Sequence, residues 1–212
     1  MPLIFLLTVI LILWIRHAGK QADRQSGESS TEFWQREQDA NFTRRADIST
    51  LPYIKIPEPL LSLPATAFQM LPAGSPEHEE LTSLQEQLHE LSEASILNLT
   101  GISNTELKLR YGFANLDTLV QCDENFTRLC QTLNRIGRLF KDFQLEQEAI
   151  QILSYAVECG SDIQETYLLL AELYQKSGNE EAISELLESV SHFDGLRRSI
   201  LENALLAYRN PE

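Results

Sequence analysis

The chain has little of what the commoner chemistries require. Its three cysteines, Cys122, Cys130 and Cys159, form no CxxC pair, and no Cys/His cluster has zinc-like spacing. An odd number of thiols at apolar helical positions reads as reduced core cysteine, which fits a cytosolic location better than an oxidising one. No glycine-rich phosphate loop follows a strand, and no nucleophile stands in a Gly-x-Ser-x-Gly context. The four histidines, His17, His78, His89 and His192, are scattered; His78 and His89 lie eleven residues apart, which misses the HExxH arrangement. Enzyme activity is therefore not expected, and neither is a metal or another cofactor.

Basic residues are also scarce: 17 Lys/Arg stand against 31 Asp/Glu, a net charge of −14. The excess is local. Residues 1–50 carry six of each sign, so residues 51–212 hold eleven basic against twenty-five acidic. An acidic body repels phosphate backbones, so no nucleic-acid partner is expected. The N-x-T sequons at Asn41, Asn98 and Asn125 carry no weight, because such triplets arise by chance.

Charge is missing altogether from residues 2–15 of "PLIFLLTVILILWIRHAGK". A cleavable signal needs a basic residue before the apolar run and small neutral ones after it. Here Arg16, His17 and Lys20 follow directly, and no Lys or Arg precedes. Fourteen apolar residues are few against the roughly 20 of a spanning helix, but Trp14 suits the interface, and the stems of Arg16 and Lys20 can extend to headgroups. The polar connector "AGKQADRQSGESST" has linker composition. Residues 1–20 are thus expected to be a single uncleaved membrane anchor. The Lys/Arg bias places the long C-terminal part on the cytoplasmic side.

Residues 21–74 are expected to hold the linker, a short helix and an extended segment. In "STEFWQREQDANFTRR", Ser30 and Thr31 are cap candidates. The aromatics Phe33, Trp34 and Phe42 fit either an anionic membrane surface, with Arg36, Arg44 and Arg45, or docking onto the helical body. In "LPYIKIPEPLLSLP", Pro52, Pro57, Pro59 and Pro64 exclude a helix or a central strand, so an extended strip is expected. Its apolar residues Tyr53, Ile54, Ile56, Leu60 and Leu61 call for a groove, and the chain's own body is the favoured one.

The third region, residues 75–212, is expected to be all-α. Ser75 and Pro76 open a helix carrying Glu77, Glu79 and Glu80 at its positive end, with Leu81, Leu84, Leu88, Leu91 and Ile96 as its apolar stripe. Ser103 and Glu106 cap another, which Gly112 interrupts. From Asp123 onward Phe126, Leu129, Cys130, Leu133, Ile136, Gly137 and Phe140 share one face. Leu133, Ile136, Gly137 and Phe140 recur 34 residues later as Tyr167, Leu170, Ala171 and Tyr174. Ala149, Leu153 and Ala156 recur 33 residues later as Ala182, Leu186 and Ser189. Leu133 and Tyr167 continue to Leu201, and Phe140 and Tyr174 to Tyr208, so the last helix reads as a cap. Small residues at 137, 149, 171 and 182 allow close helix approach, while Phe140 and Tyr174 fill the space between pairs. Gly178 and Asn179 form the turn inside the second pair.

Over residues 126–209 this pattern resembles the tetratricopeptide repeat: Ile136-Gly137, Phe140, Ala149 and Ala156 stand at its Leu-Gly, Tyr and two Ala positions. It departs from the family at Leu133, where Trp is usual, at Ser161 in place of Pro, and at Gln144 where Gly is frequent. The layout of lone anchor, aromatic block and repeat tail is also similar to single-span bacterial proteins, a likeness that implies no activity. The resemblance implies antiparallel helix pairs wound into a right-handed superhelix, with the first helix of each pair on the concave face. It puts Gln131, Asn134, Arg138 and Lys141 beside Glu165, Leu168, Glu172 and Gln175 as a peptide-binding face. The Lys/Asn/Arg clamp that some relatives use for C-terminal carboxylates is not reproduced. The expected function is a membrane-tethered adaptor for a protein segment; the alternative is a structural module whose groove is filled by its own residues 50–64.

Overall fold

The computed structural model describes residues 30–193 and 195–209. Among them every regular element is helical, in agreement with the all-α expectation. The expected anchor at residues 2–15 lies outside the described residues, and no helix within them is long and apolar enough to cross a membrane. The chain divides into two units that interleave in sequence: Met1–Thr50 with Gly101–Thr118, and Leu51–Thr100 with Leu119–Glu212.

The first unit pairs α1 (Ser30–Asn41) with α5 (Asn104–Tyr111). Ser103 caps α5, its side chain accepting from the Glu106 amide at 3.2 Å. The two helices meet at Glu37, whose carboxylate takes bonds from Thr105 (2.5 Å) and Lys108; Ala40, one turn on in α1, is fully buried. Lys108 has only 8% of its surface exposed, so its ammonium depends on that carboxylate. Next to them Asn115 closes the unit: its amide donates to Ala46 O (2.8 Å) and Tyr111 O (2.7 Å) and accepts from Arg45. Gly112 ends α5 at φ 84°, and a Cβ there would lie 2.7 Å from the Arg44 carbonyl oxygen. Only glycine fits this turn and this approach.

In the second unit α2 (Glu58–Leu61), α3 (Ala65–Met70) and α4 (Pro76–Ser92) precede α6 (Leu116–Asp142), which enters the unit at Leu119. Then follow α7 (Glu146–Glu158), α8 (Gln164–Lys176), α9 (Glu180–Ser189) and α10 (Gly195–Arg209). Ser75 caps α4, accepting from the His78 amide at 3.2 Å. The expected stripe is the buried one: Leu81, Leu84, Leu88 and Leu91 are at most 1% exposed. Each such leucine contributes about 2 kcal/mol of burial free energy. Arg135 with Glu80, Thr132 with Gln87 and Arg128 with Glu90 bind α4 to α6 in opposite directions.

Three successive helices end in the same way. After α6, Gln144 donates to Lys141 O and Leu145 to Phe140 O; after α7, Gly160 donates to Val157 O and Ser161 to Ala156 O; after α8, Gly178 donates to Gln175 O and Asn179 to Tyr174 O. This paired pattern turns the chain sharply through one left-handed residue. That residue has φ 61° at Gln144, 80° at Gly160 and 69° at Gly178. The turns fold α6 and α7, then α8 and α9, into hairpins. In the first of them Gly137 faces Leu153 so closely that a Cβ would overlap the leucine side chain.

Residues 51–64 differ in part from the extended strip expected of them. Glu58–Leu61 makes one helical turn with Pro57 as its N-cap, because proline in the first turn occupies positions whose amides have no helical partner. The helix Ala65–Met70 was not expected. The strip lies on its own unit: Ile56 and Leu63 belong to the buried core, with Ile54, Leu60 and Leu61 packed against it. The Ile54 amide donates to Ile96 O at 3.0 Å and the Tyr155 hydroxyl to Lys55 O at 3.0 Å.

Candidate functional site

α6 and α8 run side by side in the same direction. Asn134 at one level meets Glu165 and Thr166, and Lys141, two turns on, meets Glu172. α10 continues the row: Arg197 near its start lies 3.8 Å from Asp162, and Gln175 donates to Tyr208 O at 2.8 Å. The first helices of successive hairpins thus form a continuous layer, and the eight predicted residues lie on α6 and α8 within it.

Those residues are bonded largely to one another. Asn134 is buried; its amide donates to Glu165 at 2.7 Å while its carbonyl accepts from Thr166 at 2.9 Å. Arg138 reaches the other oxygen of Glu165 at 3.7 Å, and Lys141 pairs with Glu172 at 2.5 Å. Gln131 is exposed at the start of the layer, and Leu168 is half-buried against the core. The two carboxylates stand over the two cations, so the face is close to electrically balanced. Its ion pairs are half-exposed, and each stabilises by about 0–1 kcal/mol. A ligand that exchanges one charge partner for another therefore meets only a small barrier. The hidden part of this network, Thr166 with Asn134, carries no sequence signal beyond helical periodicity.

The second side of the unit holds a cleft of about 330 Å³ between α7, α8 and α9, with Leu170, Tyr174 and Leu186 in its lining. Ser154 and Tyr174 share a hydrogen bond of 3.0 Å there. The Pro-rich strip sits against α6 and α7, where Pro59, Leu63 and Pro64 meet Phe140 and Ile152 around a space of about 220 Å³.

The thiols are poor nucleophiles. Burial pushes Cys130 up to about 12, against a weaker opposing effect of a hydrogen bond with Ser161. Burial likewise raises Cys122 and Cys159. All three hold their protons at neutral pH. Tyr167, wholly buried, is raised by burial too and donates its hydroxyl to Ser161 O at 2.9 Å. Among the described residues no three His, Cys, Asp or Glu side chains are grouped to hold a metal ion.

Comparison with protein-family models, with curated proteins and with solved structures finds no match to this chain.

Proposed function

We propose that the protein is a membrane-tethered adaptor whose second unit is a tetratricopeptide-like array and holds an extended protein segment on the α6/α8 face. The observation that carries this reading is the layer of parallel first helices, cross-linked at Asn134–Glu165 and Lys141–Glu172 and half open to solvent. A side-by-side row of helices with alternating cations and carboxylates offers an extended peptide both donors and acceptors along its length. Residues 2–15 serve as the anchor, with the folded part on the cytoplasmic side; release of the full-length chain by carbonate extraction would refute that element.

The binding role is tested by selecting displayed peptides against the full-length chain. Enriched peptides that lose affinity to Arg138→Ala and Glu172→Ala proteins, with unchanged circular dichroism, support it. Failure to enrich any peptide, or equal binding to the variants, refutes it. The burial of Ile56 and Leu63 favours a second reading, a structural module whose groove is permanently filled by residues 50–64. Deleting residues 50–64 separates the two: a folded chain that still binds the selected peptides supports the adaptor, and an unfolded one supports the structural module.

A further inference from the structure

The first unit leaves its largest aromatics outside. Trp34 is 66% and Phe33 44% exposed, and their rings touch edge to face with centroids 5.6 Å apart. Glu37 is the α1 residue that takes bonds from Thr105 and Lys108 of α5, and Phe33 and Trp34 stand one helical turn before it. Covering them would take a contiguous apolar area out of water.

We propose that this aromatic edge inserts into the interfacial region of the lipid bilayer, as a second membrane contact beside the anchor. The inference rests on the anchor reading of residues 2–15 and says what that reading lacks. As a helix, fourteen residues would span only about 21 Å, against about 30 Å of hydrocarbon. Such a thin span gains from an additional contact, and Trp and Phe are the side chains that settle at the headgroup level. Reach and charge both agree. Fourteen residues, 16–29, separate the apolar run from α1, so the edge lies at most about 50 Å along the chain from the bilayer. Residues 30–50 and 101–118 hold five Lys/Arg against six Asp/Glu, whereas residues 51–100 and 119–212 hold nine against twenty-three. The unit that bears the aromatics is nearly neutral, and the unit that an anionic surface would repel is the other one.

The test uses the full-length chain carrying Trp14→Phe, so that Trp34 is its sole tryptophan, reconstituted into phosphatidylcholine vesicles with or without brominated acyl chains. The expected result is a blue-shifted Trp34 emission that is quenched by the brominated lipid, on protein that floats with the vesicles. Protein that floats but keeps a water-exposed, unquenched Trp34 overturns the aromatic contact and leaves the anchor standing; protein that does not float overturns both. A blue shift that appears without lipid and grows with protein concentration overturns it in favour of a second copy as the cover. As an independent measure, the Phe33→Ser/Trp34→Ser chain should be released more readily by alkaline extraction with unchanged circular dichroism. Equal release counts against the contact.

Discussion

Gln144 does the work of a glycine. It is the residue of positive φ after α6, at the position held by Gly160 and Gly178 after the next two helices. A side chain in the left-handed region costs about 1 kcal/mol or more, and here no special contact offsets it. Gln144→Gly should raise the free energy of unfolding by about 1 kcal/mol, visible as a higher denaturant midpoint with an unchanged slope. Gly137 gives the opposite case. It stands inside α6, where alanine is the better helix former by about 1 kcal/mol, yet its missing Cβ is the space that Leu153 uses. Leu153 is fully buried and cannot withdraw. Gly137→Ala should therefore destabilise by about 1–3 kcal/mol, and adding Leu153→Val should recover part of the loss. Both sites could be read in the sequence because the repeat set Gln144 against a glycine position and Gly137 against a close-packed one. The positive φ itself followed from nothing local, since glutamine has no preference for it.

Among the elements, those built from local signals were the legible ones. α4 carries its cap, its proline, its acids and its leucine stripe within seventeen residues, and it folds as they dictate. The one-turn helix at Glu58–Leu61 has no clear signal in the sequence, because its prolines argue against helix in general and fit only at its first turn. The partnership of α1 with α5 was invisible for another reason: Glu37 and Lys108 lie 71 residues apart, and no periodicity links them. That pair has a consequence for pH. The hydrogen bond from Lys108, then that from Thr105, hold the Glu37 carboxyl below its ordinary value of 4.5. A depressed folded value means that the contribution is present above pH 4.5 and is lost as pH falls through the folded value. Hydrogen exchange at the amides of α5 should accelerate on acidification over that interval, relative to the intrinsic rate. In Glu37→Gln it should already be faster at neutral pH and lose this dependence.

On the scale of the molecule, the second unit has one core that runs from Ile56 to Leu205 without a break. A core of this kind does not tolerate removal of an end element. Leu201 and Leu205 of α10 are at most 1% exposed, and Tyr167, wholly buried, stacks edge to face on Phe193. Ending the chain after Phe193 uncovers the inner side of α8 and loses about 4 kcal/mol from the two leucines alone. Calorimetry should show the transition of the second unit lowered by many degrees in the truncated chain, and no separate unfolding step for α10 in the intact one.

The division into units sets an order in time. The two stretches that make the first unit are separated by fifty residues of the second, and Thr50 and Thr118 lie 68 residues apart. A ribosome adding 5–20 residues per second needs about 3 to 14 s to cover that distance. Throughout that interval α1 exists without α5, and Glu37 lacks both Thr105 and Lys108. The nascent chain must keep α1 in waiting, which makes whatever surface lies nearest to it during synthesis its first partner.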